Sequence, residues 1–364
     1  MKQSIPLCFL TLVSISWSAR GEEPPLVEVT NVRRVFHNGE HNAFTDLIRF
    51  RNRYYLTFRS CPDGHMVHPT ASVIVLESDD LSNWKQVHRF SVRHRDTRDP
   101  HFLVFHNRLF VYTGTWYSGE KTIPTSQYDL NKHLGFCVHT GDGRKWTEPI
   151  LLEGTFGHYV WRAATYGGKA YLCGRRKTGF EIPPRGEPAN VKSILLESDD
   201  GLIWRKKSVF QEIHGDETAF LFERDGTIKA IGRRGSATAQ YLTSRPPYQT
   251  WKRTELSEYV GGPNLQRWGN QFVVGGRQST REGPRTAFYW LSQDSLQKFA
   301  EVPSGGDNSY PGWISLSETE AVISWYSSHE SAGGKKMTAI YMANLKKNNP
   351  DGGENGCPTQ PTAQ

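Results

Sequence analysis

Short apolar and aromatic runs alternate with polar turns along most of the chain. Leu47–Phe50 and Tyr54–Phe58 flank one such turn, and Ala219–Phe222 and Ile228–Ile231 flank another. Runs of this length, bounded by Gly, Asn and Asp, are typical of β-hairpins rather than of helices. The pattern predicts six hairpins, with turns at residues 51–53, 106–108, 167–169, 224–226, 268–270 and 317–320.

A repeated motif follows the hairpins. It consists of an apolar strand, a Ser or Thr, an Asp two residues later, a turn and an aromatic residue. Clear copies run from Ser78 to Trp84, from Thr140 to Trp146 and from Ser198 to Trp204, and weaker copies run from Ser244 to Trp251 and from Ser292 to Phe299. Successive Ser or Thr positions are 46 to 62 residues apart, which is the size of one propeller blade. The motif predicts a structural role, since Asp and Ser accept hydrogen bonds from turn N–H groups and the aromatic ring packs between sheets.

The predicted fold is therefore all-β, a six-bladed β-propeller whose blades are four-stranded antiparallel sheets. The strand Val27 to Val35 is left over at the start of the chain. We expect it to pair with the final blade and close the ring, because closure removes exposed sheet edges. The predicted boundaries are a signal peptide at 1–20, a single propeller domain at 21–345 and a disordered tail at 346–364.

The N-terminal segment is typical of a secretory signal peptide. Lys2 is followed by an apolar stretch from Ile5 to Ile15 and then by small residues near position 20. This stretch is too short to span a bilayer, and no later run is apolar for 18 residues. We therefore expect a secreted or periplasmic protein with no membrane span.

Composition narrows the function classes. Aromatic residues make up 12% of the chain, with 34 Gly and 20 Pro, which argues against a disordered chain or a helical bundle. The net charge of +7 comes from scattered basic residues, so nucleic acid is a poor candidate partner and an anionic substrate is a better one. Four cysteines follow the leader, and they allow either one disulfide or free buried thiols: Cys61, Cys137, Cys173 and Cys357.

Aligning the six hairpins on their turns locates one functional face. The residues eight positions before each turn should begin the innermost strands, and they are Phe44, Asp99, Val160, Glu217, Gly261 and Tyr310. Antiparallel pairing brings the residues seven to nine positions after each turn beside them, and several of these are arginines: Arg59, Arg175, Arg176, Arg233, Arg234 and Arg277. The alignment predicts a polar site at one rim of the channel, with the Asp-containing turns at the opposite rim.

The residue types at this rim indicate a chemistry. Several guanidinium groups at one place suit a carboxylate or sulfate, because Arg forms bidentate charge-assisted hydrogen bonds. A Glu beside a Tyr suits a phenol that is made nucleophilic by a general base. A neutral nucleophile is appropriate where the substrate carries a carboxylate next to the reacting carbon.

The chain resembles the sialidase superfamily of Asp-box (BNR-repeat) propellers over nearly all of its predicted domain. Glu217, Arg233 sixteen residues later, Arg277 and Tyr310 occur in the order that exo-sialidases show. The resemblance implies that Glu217 and Tyr310 form the nucleophile pair and that the two arginines hold the sugar carboxylate. The chain departs from the family at 41–46, where an Arg-Ile-Pro sequence is replaced by HNAFTD. The acid/base Asp of the family has no clear match either.

These residues and motifs predict a secreted, sialidase-like glycoside hydrolase that acts on an acidic oligosaccharide or polysaccharide, exo-acting and retaining by analogy. The predicted catalytic residues are Tyr310, Glu217 and Asp99. The predicted substrate-binding residues are Arg233, Arg234, Arg277, Arg59, Arg162, His41 and His65. No cofactor or metal is predicted, since the spacing of Cys61, His65 and His68 matches no strong zinc signature.

Two alternatives remain open at this point. The first blade also resembles that of propeller-type ulvan lyases, with His41 and His65 as a candidate pair. The resemblance implies that a His or a Tyr abstracts the proton next to a uronate carboxylate and that an Arg neutralises this carboxylate. His65 and Asp63 are likewise the nearest candidates for the acid/base residue of a hydrolase. The other alternative is a non-catalytic, glycan-binding propeller, which would bind saturably without turnover.

Overall fold

The computed structural model describes residues 25–180 and 190–348, which form 24 β-strands and two short 3₁₀ turns. The predicted signal peptide lies outside the described residues. The predicted tail begins at residue 346, whereas the last strand continues through Asn348, and the remainder of the tail lies outside the described residues. Within the described part of the chain, no helix is long and apolar enough to cross a membrane.

The strands form six four-stranded antiparallel sheets, as predicted. The first strand is β1, Leu26–Phe36. Blade 1 contains β2 His41–Phe50, β3 Arg53–Cys61, β4 Ser72–Ser78 and β5 Lys85–Phe90. Blade 2 contains β6 Arg95–Phe105, β7 Arg108–Tyr117, β8 Leu134–Thr140 and β9 Ile150–Leu151. Blade 3 contains β10 His158–Tyr166, β11 Lys169–Lys177, β12 Val191–Ser198 and β13 Arg205–Gln211.

The second half of the ring has the same organisation. Blade 4 contains β14 Thr218–Phe222, β15 Ile228–Arg234, β16 Ala237–Ser244 and β17 Lys252–Glu255. Blade 5 contains β18 Gly261–Trp268, β19 Gln271–Thr280, β20 Gly283–Ser292 and β21 Ser295–Val302. Blade 6 contains β22 Asn308–Ser315, β23 Glu320–Ala332 and β24 Lys335–Asn348, with β1 as its fourth strand.

The ring closes through pairing of the first and last strands. β1 runs antiparallel to β24, with Leu26 opposite Asn348 and Phe36 opposite Ile340. The leftover N-terminal strand therefore occupies the outer position of blade 6, as predicted. Backbone hydrogen bonds between the two ends of the described chain hold blade 1 next to blade 6.

The repeated turns have the predicted hydrogen-bond geometry. In the first copy, Ser78 Oγ accepts from the backbone N–H groups of Asp80 and Leu81 at 3.2 and 2.9 Å. Asp80 Oδ1 accepts from the N–H groups of Ser82 and Asn83, and these bonds hold the pKa of Asp80 below its ordinary value. The same arrangement recurs in the copies at residues 140–145 and 198–203.

These turns lie at the opposite end of each blade from the predicted site. Ser78 pairs with Tyr54 beside the hairpin turn of blade 1, whereas His41 pairs with Cys61 at the other end. The aromatic residue of the second copy packs between two blades, as predicted. The Trp146 ring stacks on the His88 ring with a centroid distance of 5.2 Å.

The thiols of Cys61, Cys137 and Cys173 are buried and free. The sequence leaves open one disulfide or free buried thiols, and these three cysteines are free buried thiols. Cys357 lies outside the described residues.

The innermost strands approach one another closely around the axis. A Cβ placed on Gly312 of β22 would lie 2.7 Å from the backbone nitrogen of Leu47 in β2 and 2.6 Å from the Ser324 hydroxyl. A Cβ placed on Gly141, in an Asp-containing turn at the opposite rim, would have no neighbouring atom within 4 Å.

We predict that Gly312→Ala destabilises the ring by about 1–3 kcal/mol, because a methyl group must push β22 away from β2. Thermal unfolding followed by circular dichroism measures the effect. Gly141→Ala is the control and should leave the melting temperature nearly unchanged. Equal melting temperatures for both variants would contradict the close approach of the two strands.

Candidate functional site

The site lies where the innermost strands begin, and backbone bulges shape it. Five of the six innermost strands shift register near their start, for example between Ala43 and Asp46 in β2 and between Arg98 and His101 in β6. Non-glycine residues within three of these bulges have positive φ angles: Phe44 at 64°, Asp99 at 50° and Tyr310 at 53°. A bulge redirects side chains at the end of a strand. All three belong to the six strand-start positions that alignment of the hairpins on their turns identifies.

Tyr310 and Glu217, which the sequence predicts to converge at this rim, form a direct hydrogen bond. Tyr310 Oη donates to Glu217 Oε1 at 2.7 Å, and both residues are buried. Glu217 Oε2 accepts from Arg233 Nη1 at 2.9 Å and from the backbone N–H of Gly262 at 3.1 Å. Each oxygen of the carboxylate therefore has a fixed partner, and one of those partners is the phenol.

The surroundings keep the Tyr310 phenol protonated. Burial and the negative charge of Glu217 raise its pKa well above the ordinary value, although Arg233 and Arg277 act in the opposite direction. A phenol in this state becomes a nucleophile only when a base takes its proton. Glu217 is the carboxylate in position to do so.

Two arginines flank the Tyr310 ring. Arg233 Nη1 lies 3.4 Å from Tyr310 Oη, and the Arg277 guanidinium lies 5.5 Å from the ring centroid. Asp216 lies 3.4 Å from Arg233 Nε, while Arg277 donates from Nε and Nη2 to the Asn308 carbonyl. In the described part of the chain, Arg233 Nη2 and Arg277 Nη1 have no hydrogen-bond partner. Both side chains are about one-fifth exposed, so each offers a free donor to a ligand.

A carboxylate that sequence reasoning missed lies at the centre of a second cluster. Asp307 Oδ2 lies 2.9 Å from His41 Nε2 and 2.7 Å from His65 Nδ1. Asp307 Oδ1 accepts from the Tyr326 hydroxyl at 2.8 Å and from Arg277 Nη2 at 3.3 Å. Burial opposes ionisation of Asp307, but the hydrogen bonds from the two histidines outweigh burial and hold its pKa well below the ordinary value.

Asp99 is buried beside the nucleophile pair in a different environment. Its Oδ2 accepts from the Tyr159 hydroxyl, and its Oδ1 has no partner among the described residues. Burial and the charge of Glu217 raise the pKa of Asp99 to about 6, although Arg98 opposes the change. A buried carboxylate with a free oxygen and a raised pKa is typical of functional sites rather than of structural ion pairs.

Three of the arginines predicted to bind substrate have their partners within the protein. Arg59 is fully buried and forms a bidentate pair with Asp96, at 2.9 and 2.7 Å. Arg162 donates to Asp46 and to two backbone carbonyls, and it lines a cavity of about 420 Å³ that is also lined by the middle of the innermost strands. Arg234 pairs with Glu255 on an outer strand of its own blade. In the described part of the chain, none of the three guanidinium groups forms a hydrogen bond with the Tyr310 hydroxyl.

The residues considered for zinc have separate partners. Cys61 Sγ contacts the Thr70 hydroxyl, and His68 Nδ1 lies 2.8 Å from the Thr122 hydroxyl. A different set, His41, His65 and Asp307, brings one potential ligand atom each within 4.8 Å of the others.

The sequence alone carried little signal for the residues that support the site. Asp307 lies three positions before Tyr310, outside the aligned strand starts. Arg98 also pairs with Asp96, and its guanidinium lies 5.7 Å from the Phe44 ring centroid. Arg98 therefore lies beside residues 41–46 of blade 1, the segment that has no arginine of its own. Only its place directly before Asp99 could have pointed to it.

No family model and no curated protein sequence matches the chain. Several solved structures do. A protein of unknown function from Dyadobacter fermentans has a TM-score of 0.72 at 16% identity, over 89% of this chain and 100% of that one. Trypanosoma rangeli sialidase in complex with the inhibitor DANA has a TM-score of 0.63 at 12% identity, over 84% of this chain and 55% of that one. The phage phi92 endosialidase has a TM-score of 0.63 at 11% identity, over 92% and 71%.

The Trypanosoma rangeli sialidase also matches in a complex with 2,3-difluorosialic acid that is a covalent intermediate. At identities of 10 to 16%, these likenesses show a shared propeller fold. This chain spans about half the length of that sialidase.

The raised pKa of Asp99 makes a prediction about stability. The ionised carboxylate weakens the fold above pH 6, and this destabilisation is lost as the pH falls from about 6 toward the ordinary value of 3.8. We therefore expect Asp99→Asn to stabilise the protein at pH 8, by on the order of 2 kcal/mol, and to have less effect at pH 5. Chemical unfolding at the two pH values measures this difference.

Asp216→Asn is the matched control with the opposite sign. Burial opposes the ionisation of Asp216, but Arg175 and Arg233 outweigh it and lower its pKa. Its ion pairs stabilise the fold above the unfolded pKa and are lost as the pH falls, so this variant should be less stable than wild type at pH 8. If Asp99→Asn is as destabilised as Asp216→Asn, the assignment of a strained Asp99 is wrong.

Proposed function

We propose that this protein is a retaining glycoside hydrolase that acts on a glycan carrying a carboxylate or sulfate, with Tyr310 as the nucleophile and Glu217 as its base. One observation carries the proposal: the 2.7 Å hydrogen bond from Tyr310 to Glu217, with Arg233 and Arg277 on either side of the phenol. This arrangement provides a nucleophile with its base and two free guanidinium donors for the anionic group of an acidic sugar.

The first step forms a bond between Tyr310 Oη and the anomeric carbon, while the bond to the leaving oxygen breaks. The phenol proton passes to Glu217 Oε1, to which it is already hydrogen-bonded. A proton donor must protonate the leaving oxygen at the same time. In the second step water attacks the anomeric carbon and gives a proton to the group that acted as the donor, the bond to Tyr310 breaks, and Glu217 returns the proton to the phenol. Two displacements on the same carbon retain its configuration.

The free donors of Arg233 and Arg277 select an anion. A carboxylate or sulfate accepts two parallel N–H bonds from guanidinium groups, and such charge-assisted bonds are about twice as strong as neutral ones. A neutral phenol suits this site better than a carboxylate nucleophile, because the anionic group of the substrate would repel a second negative charge.

Asp99 stabilises the positive charge that develops on the sugar ring in the transition state. It is buried close enough to the nucleophile pair for its pKa to respond to the charge of Glu217. Its Oδ1 has no partner among the described residues but is buried, so Asp99 acts through its charge rather than through a direct contact with the substrate. Because only the ionised form carries the charge, this contribution increases as the pH rises through about 6.

A polysaccharide lyase is the second candidate function, and the Asp307 cluster favours it. His41 and His65 both contact one oxygen of Asp307, which supports a lyase in which His65, whose Nε2 has no partner among the described residues, abstracts the proton next to a uronate carboxylate. The products separate the two reactions, because elimination leaves an unsaturated sugar that absorbs in the ultraviolet and hydrolysis does not.

The direct experiment incubates the protein with sialylated, uronate-containing and sulfated glycans and identifies the products by mass. Hydrolysis adds the mass of one water to the products, whereas elimination does not. Saturable binding to one of these glycans with neither product, over the range from pH 4 to about 9, would leave a glycan-binding propeller instead of an enzyme.

We predict that Tyr310→Phe lowers kcat by at least about a thousandfold, since it removes only the hydroxyl that forms the bond. Steady-state kinetics on the glycan that wild type cleaves measures the loss. Tyr248→Phe is the matched control, because it removes a buried hydroxyl that donates to the Gly226 carbonyl in a turn at the opposite rim. A Tyr310→Phe variant with wild-type kcat would exclude the covalent tyrosine mechanism.

We predict that Arg277→Lys raises KM for the acidic substrate about ten- to hundredfold, since lysine keeps the charge but cannot hold the Asn308 carbonyl and present a second, fixed N–H group to the substrate at the same time. Arg267→Lys is the control, because Arg267 pairs with Glu223 on a solvent-exposed surface between blades 4 and 5. Kinetics on the acidic glycan and on an analogue with its anionic group esterified would show the difference. Equal KM values for Arg277→Lys and wild type would exclude a substrate contact.

A further inference from the structure

Asp307 is ionised and acts only as a hydrogen-bond acceptor. Its two oxygens contact donors from four side chains: His41, His65, Tyr326 and Arg277. The hydrogen bonds that keep its pKa low mean that it carries no proton of its own above strongly acid pH. Each neighbouring group must therefore present a hydrogen to it, and this requirement fixes the tautomers of the two histidines.

His41 has both ring nitrogens occupied. Its Nδ1 lies 3.4 Å from Arg59 Nη1, which can only donate, so the Nδ1 lone pair accepts and the ring hydrogen is on Nε2. That hydrogen points at Asp307. Burial lowers the pKa of His41, and only about a tenth of its side chain is exposed. His41 is thus held neutral, with no free nitrogen for a substrate.

His65 has the complementary arrangement. Its Nδ1–H donates to Asp307, so the lone pair of the neutral ring is on Nε2. His65 Nε2 has no partner within the described ranges, and nearly half of the side chain is exposed, at 47%. A histidine with one nitrogen on a carboxylate and the other open to the site has the geometry of a general acid or base.

The backbone around His65 is also fixed. Arg98 Nη2 donates to the His65 carbonyl at 2.8 Å and to the Met66 carbonyl at 2.9 Å. The Arg98 side chain is itself anchored to Asp96. The loop between β3 and β4 is therefore tied to blade 2, so the imidazole position does not depend on Asp307 alone.

Two contacts connect His65 to the nucleophile side of the site. The Phe44 ring packs edge-on against both the His65 ring and the Tyr310 ring, with centroid distances of 5.9 and 4.9 Å. Arg277 contacts both Asp307, through Nη2, and the face of the Tyr310 ring. A sugar held by Arg277 therefore lies next to both groups.

We infer that His65 is the proton-transfer residue of this site and that Asp307 is its positioning residue. This inference rests on the proposed hydrolase function and supplies the acid that the mechanism requires. As the glycosidic bond breaks, the leaving oxygen keeps the electron pair and takes the proton from Nε2 of the His65 imidazolium. In the second step, neutral His65 takes a proton from the attacking water, whose oxygen bonds to the anomeric carbon as Tyr310 departs.

His41, His65 and Asp307 each offer one potential metal-ligand atom, and these three atoms lie within 4.8 Å of one another. A metal ion there would need the lone pair of His41 on Nε2 and its hydrogen on Nδ1, directed at the Arg59 guanidinium. The second nitrogen of a metal-bound histidine normally donates to an acceptor, which Arg59 cannot be. The hydrogen-bond network therefore favours proton transfer over metal binding, and the two make different predictions.

The test compares His65→Ala with wild type on methyl and 4-nitrophenyl glycosides of N-acetylneuraminic acid and glucuronic acid. A nitrophenolate is a weak base and leaves without being protonated, whereas a methoxide must receive a proton from an acid as it leaves. We predict that His65→Ala loses about 10²- to 10⁴-fold in kcat on the methyl glycoside and far less on the nitrophenyl glycoside. His68→Ala, in the same loop, is the control and should match wild type on both. Equal losses of His65→Ala on the two substrates would overturn the inference.

Failure of this inference is distinguishable from failure of the proposed function. If Tyr310→Phe is inactive while His65→Ala cleaves the methyl glycoside like wild type, only the role of His65 is wrong. If Tyr310→Phe remains fully active, the hydrolase mechanism itself is wrong.

A second measurement tests the positioning by Asp307 without any substrate. Nitrogen-15 NMR, recorded at a pH at which both histidine rings are neutral, should show His65 with its hydrogen on Nδ1 and His41 with its hydrogen on Nε2. In Asp307→Asn, the His65 tautomer should shift toward hydrogen on Nε2, the ordinary preference. The opposite tautomers in wild type, or tight stoichiometric binding of Zn²⁺ that Asp307→Asn abolishes, would overturn the inference.

Discussion

Pairing of β1 with β24 closes the ring, and the candidate site exists only in the closed ring. Tyr310 comes from blade 6 and Asp307 from the loop that leads into it, whereas His41, Phe44 and the His65 loop come from blade 1. The join between the blades is also held from within, since the Thr45 hydroxyl donates to the Tyr310 carbonyl at 2.8 Å. The residues that meet at this seam are separated by most of the chain, so their proximity depends on long-range strand pairing and not on local sequence.

Within the closed ring, the rim is organised by alternating charge. Nearly every buried carboxylate there contacts an arginine, and removing one partner of such a pair typically costs several kcal/mol. The pairs are Arg59 with Asp96, Arg98 with Asp96, Arg175 with Asp216, Arg233 with Glu217 and Arg277 with Asp307. Asp99 is the exception, because its direct partner is the neutral Tyr159 and one of its oxygens is free. The charged partners hold these side chains in place before any ligand arrives, which is a condition for the proposed electrostatic catalysis.

The sequence predicted the fold and the position of the site because both follow from a repeat. A hairpin and a following motif recur along the chain, so the six sheets, their order and the closing strand could be read from hydrophobic spacing and turn residues. The same alignment placed Asp99, Glu217 and Tyr310 at one rim. It could not predict the bulges, because register shifts in β2, β6 and β22 depend on packing against neighbouring strands rather than on the residues themselves.

The supporting groups were also beyond sequence reasoning. Arg59 aligns with Arg233 and Arg277 along the repeat, yet it is buried under the rim because Asp96 lies behind it. Asp307 lies in a connecting loop, where no strand periodicity marks it. The tautomers of His41 and His65 follow from what each second nitrogen contacts, and only a three-dimensional arrangement supplies that information.

The proposed mechanism depends most on a covalent bond to Tyr310, and trapping that bond tests it most directly. The protein would be incubated with a fluorinated, activated derivative of the acidic sugar that it cleaves, then digested with trypsin and analysed by mass spectrometry. Tyr310 lies in the tryptic peptide Phe299–Lys335, which also contains Tyr326. The mechanism predicts one sugar adduct on this peptide, with fragment ions that place it on Tyr310. An adduct on Glu217 or Asp99, or turnover of the derivative with no adduct on any residue, would contradict it.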